Sequence, residues 1–197
     1  MEAKYNRNNI VMNVLTKVYQ VMVLNILFII FSIPVLTIGA STRALVACIR
    51  DMFGEGLDRE IRTYFSYFKE DFKRSTITFL VLLVGYVIVA INLIYINHTG
   101  YLIGLIQLPV LAQLLLTHAM LSIVLLEWDF SIKKSLKVAW ILGNKYVIRT
   151  AGFLGISYLF LKLSLRIPVL ITFFYIPVIA IIQYFFCYKI IKDIKGE

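Results

Sequence analysis

The sequence predicts an all-α, polytopic helical membrane protein, and three observations carry that prediction. The chain is 60% hydrophobic and only 16% charged, against about 45–50% and about 25% in soluble domains. Its uncharged residues are gathered into long runs, at 18–42, 75–126 and 167–188. Its basic residues flank those runs and favour alternate sides of them: segments 43–74, 129–149 and 189–197 hold 15 of the 20 Lys and Arg. A mean hydropathy of +0.85 requires a non-aqueous solvent, and the length of 197 residues suits one domain, 1–197.

The runs set the expected elements. A helix needs about 20 apolar residues to cross the hydrocarbon, so the first and last runs hold one span each, roughly 18–38 and 167–188. The first apolar stretch exceeds the about 7–15 residues of a signal peptide core and is read as a retained span. The middle run holds two, 76–96 and 101–126, with turn chemistry at Asn97-His98-Thr99-Gly100. A fifth span, 146–165, requires Arg149 and Lys162 to reach opposite interfaces. Pro168 suits the first turn of the last helix. Retention of Lys and Arg on the cytoplasmic side then predicts an external N-terminus and a cytoplasmic C-terminus.

Two segments between spans read as interfacial amphipathic helices. Ile61, Tyr64, Phe65, Phe68 and Phe72 share one helical face, with Arg59, Arg62, Lys69 and Lys73 largely off it. Ile132, Leu136, Ala139, Trp140 and Gly143 repeat the pattern beside Lys133, Lys134 and Lys137. A shift of 71 residues superposes Asp58 on Asp129 and Ile61 on Ile132. That spacing suggests two parallel units of interfacial helix, span, span.

No motif for a metal, phosphate or dinucleotide site occurs, and neither His98 nor His118 has a partner at ligand spacing. The chain is therefore expected to be non-enzymatic and without cofactors. Its net charge of +9 serves orientation in the lipid bilayer rather than nucleic-acid binding. Cys48 and Cys187 are read as small packing residues. Gln113, Thr117 and His118 form a candidate intramembrane polar site, since polar groups in hydrocarbon tend to face protein or water. Inter-helix hydrogen bonding is the competing reading. Ala151 and Gly155, with Gly152 beside them, form a small-xxx-small face for close helix packing or a partner. Asp129 and Ser131 are expected to cap the second amphipathic helix.

The most distinctive stretch is Ser32-Ile33-Pro34-Val35-Leu36-Thr37-Ile38-Gly39-Ala40-Ser41-Thr42-Arg43. Pro34 and Gly39 should end the first span, with Ser41 or Thr42 capping a helix that runs out along the interface through Phe53. This motif, Pro34, Thr37, Gly39 and Arg43, followed by Phe68-Lys69-Glu70-Asp71-Phe72-Lys73, resembles the YesL family of small bacterial membrane proteins of unknown function. The resemblance implies a bacterial cytoplasmic-membrane location and association with carbohydrate importers of the ATP-binding-cassette (ABC) type. Permease subunits of such an importer are then the expected partners, and this chain a non-catalytic accessory subunit. The alternative is a self-sufficient small-solute transporter or channel built around the polar residues of the third span.

Overall fold

The computed structural model describes residues 2–54, 56–94, 101–166 and 168–195. Among the described residues there are eight α-helices and no strand. They are α1 (Glu2–Ser32), α2 (Ile38–Phe53), α3 (Glu60–Glu70), α4 (Phe72–Ile94), α5 (Tyr101–Glu127), α6 (Ile132–Lys145), α7 (Val147–Arg166) and α8 (Pro168–Lys195). The protein is an all-α polytopic membrane protein: Met12–Ser32, Phe72–Ile94 and Gln107–Glu127 are each long and apolar enough to cross a bilayer. The other two expected spans fall on α7, which meets α6 at 91°, and on α8, which carries the apolar stretch Phe174–Cys187. Pro168 opens α8. The turn expected at Asn97–Gly100 lies outside the described residues.

The first span ends at Ser32, six positions before the expected boundary at 38. Pro34 holds φ −75° and ψ 113°, extended backbone that cannot continue a helix. A 3₁₀ turn at Val35–Thr37 then reverses the chain into α2. The Thr37 hydroxyl lies 2.6 Å from the Phe31 carbonyl and 2.7 Å from that of Pro34. It thus donates at the open end of α1 and reinforces the turn, where the Pro34 carbonyl also accepts from the Thr37 N–H at 2.9 Å. Thr37, not Ser41 or Thr42, stands at the start of α2; Thr42 lies inside the helix and donates to the Ile38 carbonyl. Thr37→Val should therefore lower stability by about 1 kcal/mol, read as an earlier thermal melt in detergent.

α2 does not lie out along a surface as expected. Eleven of its 16 residues are buried, and α1, α3, α4, α5 and α8 all pack on it. Its small side chains, among them Gly39, Ala40, Ser41, Ala44, Ala47 and Cys48, admit neighbours on every side. Gly39 makes the closest approach: a Cβ there would overlap the Ser75 carbonyl and the Phe79 Cβ of α4. Leu24, Leu45, Ile49, Tyr64 and Val124 fill the centre of the core. Cys48 and Cys187 are both buried free thiols within it. The link from α2 to α3 turns at Gly56, whose φ of 98° suits glycine. It is pinned where Gln20 of α1 donates to the Leu57 carbonyl at 2.8 Å.

Both amphipathic helices are present, and each bends into the next helix at one residue, Asp71 or Tyr146. α3 turns Tyr64 and Phe68 inward, where the Phe31 ring meets them at 5.7 and 4.8 Å. Ile61, Phe65 and Phe72 of the same stripe remain exposed. Of the expected face, α6 buries Ala139 and Gly143 and half-buries Ile132 and Leu136, but it leaves Trp140 exposed and buries Ser135 and Leu142 in addition. The small residues at positions 135, 139 and 143 explain the rotation. A Cβ on Gly143 would sit 2.8 Å from the Leu116 carbonyl of α5, an approach a bulky face does not allow.

Candidate functional site

The most densely bonded polar cluster gathers where α2, α3, α4 and the end of α5 meet. Arg43, 5% exposed, reaches from α2 to carbonyls that two other helices leave open at their C-terminal ends. Its Nε donates to the Leu125 carbonyl at 3.2 Å and its Nη1 to the Tyr67 carbonyl at 3.1 Å. Arg74 of α4 converges on the same place. It donates to the carbonyls of Leu125, Trp128 and Phe130 at 2.9, 3.1 and 3.0 Å. Cations and donors are favoured at helix C-termini, and two arginines there close α3 and α5 together.

Asp71, at the bend between α3 and α4, lies between the two guanidinium groups. Its Oδ2 is 2.6 Å from Arg74 Nη2 and 3.4 Å from Arg43 Nε. Glu70 adds a longer contact of 3.5 Å to Arg43, and Asp129 pairs with Arg74 at 2.8 Å. Asp129 therefore binds Arg74 rather than capping α6. Ser131 makes no side-chain cap, and Ser135 donates instead to the Phe130 carbonyl at 3.3 Å. Beside this clasp Tyr67 donates to Asp51 at 2.6 Å, and Arg50 joins Asp51 to Glu127. Burial first, then the hydrogen bond to Asp51 and its charge, hold the Tyr67 hydroxyl above its ordinary range, so it remains a donor. The clasp encloses a polar pocket of about 360 Å³ whose charges are already paired. Its arrangement locks helices; it presents no free charge for a substrate.

Gln113, Thr117 and His118 do not form one site. Residues 113 and 117 share a face of α5, whereas 118 stands about 100° round the helix. Gln113 faces α6, accepting from Trp140 Nε1 at 2.8 Å and exchanging hydrogen bonds with the Asn144 amide at 3.0 and 2.9 Å. Thr117 donates back to the Gln113 carbonyl at 2.8 Å. Gln113 is thus spent on holding α6 against α5, and Thr117 on its own helix.

His118 faces the other way, toward α4 and a cavity of about 460 Å³ bounded by α2, α4, α5, α7 and α8. The Tyr86 hydroxyl lies 3.4 Å from its Nδ1, and the Phe79 ring meets it edge-on at 6.0 Å. Across the cavity Gln183 of α8 donates to the Ala119 carbonyl at 2.7 Å. Among the described residues no three His, Cys, Asp or Glu side chains converge as metal ligands.

The small residues of α7 divide between two roles. Gly152 packs inward, with Phe186 of α8 3.5 Å from where its Cβ would stand. Ala151 and Gly155 are exposed, and among the described residues no other part of the fold lies within 4 Å of a Gly155 Cβ. Ile148, Ile156 and Leu159 are exposed beside them, so α7 presents an apolar outer face with a shallow groove.

Sequence reasoning placed Arg43 in the distinctive motif but missed Arg74 and Asp71, which complete the clasp. The available signal was an arginine at the charged edge of an apolar helix with an aspartate three residues before it, a pair fit for one helical turn.

Residues 21–93 match a family model described as a protein of unknown function, DUF624. That interval runs from the buried half of α1 through the motif, α2, α3 and the clasp residues Arg43, Asp71 and Arg74, nearly to the end of α4. Neither a comparison with curated proteins nor one with solved structures found a match.

Proposed function

We propose that this chain is a non-catalytic accessory subunit of a bacterial carbohydrate ABC importer, seated beside the permease subunits in the cytoplasmic membrane, N-terminus outside. The observation that carries this reading is the outward face of α7. Ala151 and Gly155 turn away from their own bundle, whereas the comparable small stripe of α6 is consumed internally. A groove of small residues lets another helix backbone approach closely. The YesL resemblance supplies the partner class, and the DUF624 match over residues 21–93 is consistent with it. The ionic clasp supports a scaffold role, because it ties four helices together through paired charges.

Purification of the tagged protein from its native membrane in mild detergent tests this reading. Permease subunits are expected at a fixed stoichiometry by mass spectrometry. Gly155→Phe, which fills open space and leaves the core untouched, should reduce their recovery at least about ten-fold, since blocking a central packing site costs 2 kcal/mol or more. A clean monomer or homodimer from membranes that contain the importer would overturn the proposal.

A second reading, a self-sufficient small-solute transporter or channel, rests on the cavity beside His118. It predicts solute uptake by vesicles containing this chain alone. The apolar side chains Leu115 and Leu154 on that cavity's wall weigh against a water-filled path.

A further inference from the structure

The cavity between α5, α7 and α8 is the feature that neither the packing of the bundle nor the accessory role uses. Its volume of about 460 Å³ falls within the range of small-molecule sites, about 300–1,000 Å³. Among the described residues its lining contains no Lys, Arg, Asp or Glu, so it favours an uncharged ligand. Leu115, Phe153, Leu154 and Ile179 supply most of the apolar wall. Seven polar side chains stand among them, but Thr42 and Ser157 spend their hydroxyl protons on the Ile38 and Phe153 carbonyls of their own helices and Tyr86 pairs with His118, so His118, Ser122, Tyr175 and Gln183 keep the most unused capacity. The Tyr86 hydroxyl and His118 Nδ1 share one hydrogen bond, which leaves the ring's Nε2 to donate or accept according to the tautomer. Gln183 uses its amide N–H on Ala119, which leaves its carbonyl oxygen as an acceptor. The hydroxyls of Ser122 and Tyr175 bond to nothing among the described residues.

The count of polar groups decides between ligand classes. A free hexose carries a hydroxyl on nearly every carbon, and each one left unpaired in an apolar wall costs about 1–3 kcal/mol. A few donors and acceptors in an apolar chamber suit a molecule with one or two hydroxyls and a hydrocarbon remainder. The way in is consistent with this. Leu115 is 38% exposed and Tyr175 half-buried, whereas Ala119, Ser122, Phe153 and Gln183 are buried behind them. The cavity therefore opens through an apolar rim on the side of the bundle. We infer that it binds the hydroxyl-bearing end of a neutral membrane lipid of the diacylglycerol class, entering from the bilayer, with His118, Ser122, Tyr175 and Gln183 as its hydrogen-bonding groups. This assignment is independent of the accessory role.

The test uses the full chain in phosphatidylcholine vesicles with a photoactivatable diacylglycerol, the labelled residues being located by mass spectrometry. Labelling should concentrate on the cavity segments of α5, α7 and α8, and unlabelled diacylglycerol should compete it away. Tyr175→Phe keeps the ring and its stacking on Phe160 at 5.9 Å and should weaken labelling about five-fold, the worth of one hydrogen bond. Ser157→Phe, which fills the cavity from α7, should reduce it more than about ten-fold. Three results would overturn the inference: labelling spread over the outer faces and unmoved by either variant, equal labelling by a probe lacking the hydroxyl, or competition by a free hexose rather than by diacylglycerol.

Discussion

Arg43→Ala is expected to cause one of the two largest losses of stability in this protein, about 3 kcal/mol, read as an early, broad melt of the detergent-solubilised chain. The side chain is nearly buried and donates to the Leu125 and Tyr67 carbonyls while facing Asp71 and Glu70. Its removal takes the arginine donor from the Tyr67 carbonyl, leaves the Leu125 carbonyl to Arg74, and leaves Arg74 as the one guanidinium beside Asp71. Breaking a buried ion pair from one side costs about 3–5 kcal/mol; the surviving Arg74 contact at 2.6 Å places this case at the lower end. Arg43→Lys should recover only part of the loss, because one ammonium cannot reproduce a planar fork directed at two helix ends. Full stability in Arg43→Ala would show that Arg74 alone closes the junction.

Gly39→Val should be comparably severe, and for a different reason. The added atoms meet the Ser75 carbonyl and the Phe79 Cβ, both fixed to the α4 backbone, so no side-chain rotation relieves the overlap. Overpacking of this kind costs about 1–3 kcal/mol and more where backbone must move. The expected outcome is loss of folded protein at expression, visible as aggregation on size-exclusion chromatography. Gly152→Ala supplies the opposite sign: its nearest neighbour is an ordinary contact at 3.5 Å. Relief of glycine's backbone entropy should raise stability there by about 0.5–1 kcal/mol. Equal tolerance at both positions would remove the close approach of α2 and α4 from the account of the motif.

The motif Pro34, Thr37, Gly39 and Arg43 was visible as a pattern, yet only half of its purpose was readable. That Pro34 ends a helix follows from its own ring. That Gly39 faces Phe79 and Arg43 faces Leu125 depends on residues 40 and 82 positions away, which no local periodicity connects. The same limit explains the polar site expected at Gln113, Thr117 and His118. Their closeness in sequence suggested one function, but one further residue along α5 turned His118 toward a different set of neighbours.

The sequence by itself determined the membrane class, the helical content and the placement of the long helices, because bilayer thickness and the cost of charge in hydrocarbon act on the chain one stretch at a time. Only the tertiary structure decided that α2 is the buried centre of the bundle, that Arg43 and Arg74 bind the ends of α3 and α5, and that Gly155 faces outward while Gly143 faces in. Small side chains admit a neighbour without specifying which one, and a buried arginine requires acceptors without naming them; those choices are made when distant segments meet.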